Sequence, residues 1–283
     1  MKIVVIGSKG QLGSDLIKSL KNHELTSLDH DKIDVCDSRS CQLIKAMKPE
    51  VVINTAAFHR VDDCENEPEK SFLVNSIGAK NIASICNEIG AVAVYISTDY
   101  VFDGTKESPY TEHDNPNPIN TYGISKLAGE QYTRYTKKHY IIRTSSLFGA
   151  KGSSGKGGNF VETMIKKAKN REHIEVVDDI ISSPTYTKDA ADAIKKMLEK
   201  KIPHGTYHVT NSGYCSWFDF ANAIFHALEL DANLTATKTK ENEFKAKRPH
   251  FSALKSDKLQ KYGLQTMPWK EALKEYLMEK KYL

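Results

Sequence analysis

The sequence predicts a doubly wound α/β fold on a parallel sheet, with a smaller C-terminal lobe for substrate. Three observations predict it. Short runs rich in β-branched residues alternate with helical patterns along most of the 283 residues. A glycine-rich turn joins the first such run to the first helical pattern. A tyrosine and a lysine four apart, Tyr122 and Lys126, follow a hydroxyl-bearing stretch, Ser97-Thr98-Asp99, at the end of an apolar run.

Lys2, Ile3, Val4, Val5 and Ile6 read as a strand buried on both faces, as in a parallel sheet. Gly7, Gly10 and Gly13 follow at once, with Gln11 and Leu12 between the last two. A helical pattern through Leu16, Ile17 and Leu20 comes next. Strand, glycine turn and helix form a dinucleotide fingerprint, the mark of a Rossmann domain. The glycines let backbone approach a pyrophosphate, and the helix N-terminus supplies N–H donors. Gly152, Gly155 and Gly158 repeat the spacing without an adjoining apolar run, so they predict only a flexible loop.

A second strand over residues 24–28 ends at Asp29, placed to bind the adenosine ribose hydroxyls. Lys9, His30 and Lys32 lie near it and offer an alternative site for a 2′-phosphate. Asp34 and Val35 open the loop expected along the adenine, and Ser38 is expected to cap the next helix. Residues 51–54 form a third strand, followed by the small residues Thr55, Ala56 and Ala57, then Phe58, His59 and Arg60 in a loop. His59 reads either as a surface residue or as a catalyst at the crevice mouth. Residues 68–88 read as one long helical region, with Asn75 facing either the crevice or a helix surface.

Residues 92–97 form a fourth strand that delivers Ser97, Thr98 and Asp99 to the ligand-binding edge, and Tyr100 begins the loop that follows. The Pro-, Asn- and Asp-rich loop up to Asn120 is placed to cap a substrate. On the next helix, Tyr122 and Lys126 share one face, one turn apart. An ammonium beside a phenol lowers its pKa, which makes this pair a proton-donor candidate. Tyr276 and Lys280 have the same spacing and read as an ordinary helix surface. Beyond the strand at 140–143, helices are expected over 159–169, 187–200, 216–228 and 269–279. Strands are expected at 174–177 and 205–210, with a turn at 182–185. Residues 1–150 therefore form the dinucleotide-binding domain. Residues 151–283 form mainly the substrate lobe, with segments crossing back to the sheet.

Composition narrows the class of function. Hydrophobic residues make up 40%, enough for a core, and the net charge of +4 does not demand nucleic acid. The five cysteines form no C-x-x-C pair, which suits reduced thiols in a cytoplasm. The ten histidines form no metal-ligand cluster. An apolar strand begins at Lys2, so no signal peptide is expected, and no run is long enough to span a membrane.

With these residues in place, the chain resembles the extended short-chain dehydrogenase/reductase family, and within it the dTDP-4-dehydrorhamnose reductase branch. The most specific mark is the string Ser97-Thr98-Asp99-Tyr100-Val101-Phe102-Asp103-Gly104. Others are the glycine fingerprint, Tyr122 with Lys126, Gly129-Glu130, Arg143-Thr144-Ser145, Gly158-Asn159-Phe160, Ser183-Pro184-Thr185 and Arg248-Pro249.

The resemblance implies NAD(P)H-dependent reduction of the 4-keto group of a dTDP-4-keto-6-deoxy sugar, in dTDP-L-rhamnose synthesis for cell-wall polysaccharide. NADPH is the expected cofactor, with NADH accepted, and a homodimer is left open. Thr98 would hydrogen-bond the sugar carbonyl, Tyr122 would donate the proton, and Lys126 would hold the nicotinamide ribose and lower the tyrosine pKa. Thr98, Asp99, Tyr100 and Ser146 would contact the sugar. Ala56, Ala57 and Phe58 would line the cofactor. Three positions depart from the family pattern: Ser146 stands in place of Trp, Ile180-Ile181-Ser182 in place of a Gln-containing turn, and His59 in place of Thr.

Two other classes compete. One is a non-catalytic regulatory subunit like that of methionine adenosyltransferase. The other is a sugar-nucleotide epimerase or dehydratase, which would use an acid–base carboxylate such as Asp99.

Overall fold

In the computed structural model, which describes residues 1–151, 158–240 and 245–283, the first half alternates strands and helices. It runs β1 (Lys2–Ile6), α1 (Gln11–Ser19), β2 (Glu24–Leu28), α2 (Ser38–Cys41), α3 (Leu43–Met47) and β3 (Val51–Asn54). Next come α4 (Val61–Asn66), α5 (Pro68–Phe72), a π-helical turn (Leu73–Ile77) and α6 (Gly78–Ile89). Strand β4 (Val92–Thr98), a 3₁₀ turn (Asp99–Val101), α7 (Thr121–Arg134), β5 (His139–Thr144) and β6 (Leu147–Phe148) follow. Of the proposed glycine loop at 152–158, only Gly158 lies within the described residues.

The second half holds α8 (Phe160–Lys169), β7 (Ile174–Val177), β8 (Ile181–Ser182), β9 (Thr185–Tyr186) and α9 (Thr187–Glu199). It continues through β10 (Gly205–His208), β11 (Cys215–Ser216), α10 (Trp217–Ala227), β12 (Leu234–Thr237), α11 (Asp257–Lys261) and α12 (Trp269–Glu279).

Six strands form one parallel sheet in the order β10-β5-β4-β3-β1-β2. Side chains alternate between its faces. Ile3 and Val5 pack with Leu12 and Leu16 of α1 and with Ala190 and Ile194 of α9. Val4 and Ile6 pack on the other face with Ile44 of α3 and Ile82 of α6. The strand order reverses between β1 and β3, so a crevice opens at their carboxyl ends. A separate core around Phe148, Ile165, Phe220 and Trp269 holds the later elements together.

The helical region after Pro68 is interrupted where the sequence reads as continuous. Its π turn leaves the Asn75 carbonyl to accept a hydrogen bond from Tyr95 Oη at 2.8 Å. The cap of α2 is Asp37 rather than Ser38, because the Asp37 carboxylate accepts from Arg39 N at 2.8 Å. Residues 182–185 are the ends of two short strands rather than a simple turn. Ser182 pairs with Cys215, and Thr185 with Leu147. Tyr276 is not on a helix surface: it is fully buried, and its hydroxyl reaches Asn159 and Glu162. Apolar neighbours from β6, β9 and α10 draw that ring inwards.

Candidate active site

A cavity of about 830 Å³ opens at the carboxyl ends of the central strands. One end is the glycine turn. Gly7 has φ +77°, a conformation that side chains disfavour, and Gly10 N donates back to Gly7 O at 3.0 Å. A Cβ at position 13 would lie 2.2 Å from Gly7 O, so the turn and α1 meet only through glycine. Helix α1 starts at Gly10 with no side-chain cap, which leaves its first amides open to the cavity. This is a cradle for a diphosphate. The Gln11 side chain lines the same end, with its Oε1 buried and without a protein partner among the described residues.

Asp29 accepts from Ser8 Oγ at 2.6 Å and Lys9 N at 2.8 Å, with Lys9 Nζ at 3.9 Å. It lines the cavity beside Leu12, Val35, Ala56 and Ala57. Two expected cofactor contacts are placed elsewhere. Asp34 is exposed and accepts from Cys36 N at 2.9 Å, which closes a local turn. Phe58 has both backbone polar groups bonded to Asn75, at 2.9 Å each, and its ring lies under Lys70 Nζ, 4.7 Å from the centroid. Asn75 thus faces the loop leading to the crevice. It is fully buried and also donates to Ser125 Oγ at 3.0 Å, tying that loop to α7.

The reacting end gathers Thr98, Asp99, Tyr100, Tyr122 and Lys126. Strand β4 ends in Thr98, and Asn120 caps α7 by accepting from Gly123 N, which sets Tyr122 in the first turn. Thr98 Oγ1 donates to Asp99 Oδ1 at 3.1 Å and accepts from Tyr100 N at 3.2 Å. The buried Asp99 carboxylate also takes the Ser145 hydroxyl at 2.8 Å and the Ser252 hydroxyl at 2.6 Å. Burial pushes its pKa up to about 6, against the pull of these hydroxyl donors. Arg248 also lines the cavity, with Nη2 2.9 Å from Asp62 Oδ2.

The electrostatics differ from the sequence reading. The Tyr122 phenol is shifted up rather than down, and Lys126 is not among the leading causes of the shift. Burial raises that phenol well above its ordinary value, opposed by the Thr98 hydroxyl and assisted by the Asp99 charge. Lys126 is itself buried. Its Nζ donates to Ile96 O and lies 4.2 Å from the Tyr95 ring centroid. Burial pushes its ammonium down to about 7, opposed by Glu130. Tyr122 therefore stays protonated through neutral pH, the form a general acid needs.

Ser146 takes φ +44° and donates to Ser182 Oγ at 2.7 Å. His59 lines the mouth, with Nδ1 3.5 Å from Ala57 O. The loop before Asn120 does not cap the cavity. It packs on the C-terminal segment instead, through Tyr110 N to Ala253 O and Lys255 N to Tyr110 O, both 2.8 Å. No group of three His, Cys, Asp or Glu fit to hold a metal is found among the described residues, and no described helix is long and apolar enough to cross a membrane.

The RmlD substrate binding domain model matches residues 1–282. The chain belongs to the RmlD family of dTDP-4-dehydrorhamnose reductases. It is 43% identical to the spore coat polysaccharide biosynthesis protein SpsK of Bacillus subtilis, over 99% of this chain and 98% of that one. The dTDP-4-dehydrorhamnose reductase of Escherichia coli K12 is 35% identical over the same shares. A crystal structure of dTDP-4-dehydrorhamnose reductase from Bacillus anthracis, in complex with NADP, superposes with a TM-score of 0.92. That protein is 39% identical, with 99% of this chain and all of that chain covered.

This RmlD member also has a cavity wall with no assigned role in the sequence reading. Phe160 and Trp217 line it beside Asn159 and Phe220. Trp217 reads in sequence only as part of the helix expected over 216–228, and periodicity does not reveal that it lines the cavity. Phe148, two residues beyond Ser146, is 1% exposed and stacked on Tyr186.

Proposed function

We propose that the protein reduces the 4-keto group of a dTDP-4-keto-6-deoxy sugar with NADPH, with dTDP-4-dehydrorhamnose as the first candidate. The observation that carries this reading is the junction of two sites in one cavity. The uncapped α1 turn lies at one end, and Thr98, Tyr122 and Lys126 lie at the other.

The open α1 amides and Gly7 to Gly13 hold the pyrophosphate of the cofactor. Asp29 faces the adenosine ribose. Lys9, 67% exposed at its side chain, supplies a cation for a 2′-phosphate. Bound there, the nicotinamide supplies a hydride to the sugar carbonyl. Tyr122 holds the proton that the developing alkoxide takes from its Oη. Thr98 and Asp99 fix the hydroxyl network beside that phenol, and Thr98 turns its proton to the carbonyl once a sugar oxygen competes with Asp99 Oδ1. Lys126 orients the nicotinamide ribose and replaces the proton lost by Tyr122. Tyr100, in edge-to-face contact with Tyr122 at 6.0 Å between ring centroids, closes the sugar side with Ser146.

Asp99 disfavours the dehydratase reading. Its Oδ2 is held by the Ser145 and Ser252 hydroxyls, and its Oδ1 meets the Thr98 hydroxyl, an arrangement that serves to aim Thr98 rather than to take a proton from a substrate C–H. The test is NADPH oxidation over a panel of 4-keto sugar nucleotides. Release of NADP⁺ in proportion to reduced sugar supports the reductase. A tightly bound cofactor that returns to its starting state would mean an epimerase or dehydratase, and absence of turnover with intact NADPH binding would favour a regulatory subunit.

A further inference from the structure

Ser252 carries a buried hydroxyl on the C-terminal segment, behind the reacting end of the cavity. It is 1% exposed and does not line the cavity itself. Its chain neighbours Phe251, Ala253 and Leu254 are buried and apolar. Backbone bonds fix the segment on two sides. Ser252 N donates to Ile181 O at 2.9 Å, and Ile181 N donates to His250 O at 2.7 Å. On the other side Tyr110 N donates to Ala253 O, and Ser183 Oγ bonds the Leu254 backbone. The same segment reaches the helix of Tyr122. Asn120, which caps α7, donates through Nδ2 to Lys247 O at 2.8 Å.

Held in this way, Ser252 Oγ donates to Asp99 Oδ2 at 2.6 Å, beside Ser145 Oγ at 2.8 Å. The other oxygen, Oδ1, accepts from Thr98 Oγ1 at 3.1 Å. A carboxylate is planar, and the torsion that turns it is soft. With one donor on Oδ2 the group pivots about that bond. With two it is clamped, and the direction of Oδ1 is set as well. The donors also oppose the burial that raises the Asp99 pKa, and Ser252 is the strongest of them. The titratable groups facing Asp99 are Tyr100 and Tyr122, both protonated through neutral pH. Arg248 lies beyond Tyr100 and is paired with Asp62. Hydroxyl donors rather than a cation therefore keep this carboxylate ionised.

Resting on the reductase reading above, we propose that Ser252 is a positioning residue for the reduction. Its hydroxyl clamps the Asp99 carboxylate so that Oδ1 faces Thr98, and thereby sets the Thr98 hydroxyl that meets the sugar carbonyl. A mere tie for the C-terminal segment would not need this bond, because the backbone contacts on both sides already hold that segment.

The test compares Ser252→Ala with Ser252→Cys, which keeps the shape and offers a weaker donor. Protein labelled with ¹³C at the aspartate carboxyl carbons reports Asp99 directly, and Asp99→Asn identifies its resonance by loss. In the wild type that resonance should titrate near 6. In Ser252→Ala the midpoint should rise by about one unit or more, since the charged form has lost a donor. With the 4-keto sugar nucleotide that the wild type reduces, Ser252→Ala should lose about tenfold to a hundredfold in kcat at neutral pH, the usual worth of a hydrogen bond to a charged group. KM for the sugar and calorimetric affinity for NADPH should stay within about threefold. Ser252→Cys should fall between wild type and Ser252→Ala in both readouts, and it carries the test if the alanine variant does not fold. An unmoved Asp99 midpoint in these variants would overturn the proposal, as would a wild-type kcat. Loss of NADPH affinity in step with kcat would overturn it too, because that is the mark of a general structural role. If the wild type reduces no 4-keto sugar nucleotide, the reductase reading fails, while the Asp99 titration, read without substrate, still decides whether Ser252 holds the carboxylate.

Discussion

Glu130→Gln is the substitution that most severely tests the internal support of the site. Glu130 is fully buried on α7, one turn beyond Lys126. It accepts from Arg143 Nε at 2.8 Å, Arg143 Nη2 at 2.7 Å and Ser97 Oγ at 2.7 Å. Arg143 is 1% exposed, so it has no route to water. Glutamine keeps the shape but removes the charge and sets an amide N–H₂ against a guanidinium N–H. A buried cation stripped of its partner costs about 3–5 kcal/mol. Urea unfolding at pH 7 should show a loss of that size. Adding Arg143→Met should recover a good part of it, because the stranded charge is then gone. The same substitution acts on Lys126, whose ammonium is held up chiefly by Glu130 against burial. The group titrating near 7 should move lower in Glu130→Gln. A loss below about 1 kcal/mol, or a double variant no more stable than the single one, would refute the reasoning.

Four further outcomes are expected. Tyr122→Phe should bind NADPH with near-normal affinity in calorimetry and lose about 10² to 10⁴ in kcat, the usual worth of a general acid. With the Lys126 ammonium lowered to about 7, kcat/KM should fall as pH rises through about 7, and Lys126→Met should abolish that limb. The linkage sign follows: between about 7 and the ordinary 10.5 the unfolded chain binds the extra proton, so stability rises with pH there, a rise that urea titrations of Lys126→Met should lack. Gly13→Ala places a Cβ 2.2 Å from Gly7 O, so fluorescence titration should show NADPH binding at least tenfold weaker.

The strands of the main sheet were legible because a parallel sheet buries both faces, and runs such as Val4, Val5 and Ile6 announce that without context. The glycine turn was legible because Gly7 and Gly13 meet a steric demand that no other residue satisfies. Contacts set by long-range packing were not. Tyr276 and Tyr122 share a Tyr-x-x-x-Lys spacing, yet one is sealed beneath α8 and α10 and the other lines the cavity. Spacing fixes only the helix face and says nothing of what covers it. The two-residue strand at Ile181–Ser182 is too short to show a period, so the anchoring of Ser252 against it stayed hidden. The lowered Lys126 ammonium was equally out of reach, because the depth of burial around Ile96 O and Tyr95 decides it.

The central claim is a stoichiometric hydride transfer to the sugar 4-position with Tyr122 as acid. Its most direct measurement is a single-turnover reaction with NADPH deuterated at the transferring carbon, read by mass and NMR spectroscopy of the product. With dTDP-4-dehydrorhamnose as substrate, one deuterium per molecule should be found on C4 of the sugar, with one equivalent of NADP⁺ released, and Tyr122→Phe should slow that transfer. Product without label, or NADPH recovered intact beside a rearranged sugar, would contradict the account.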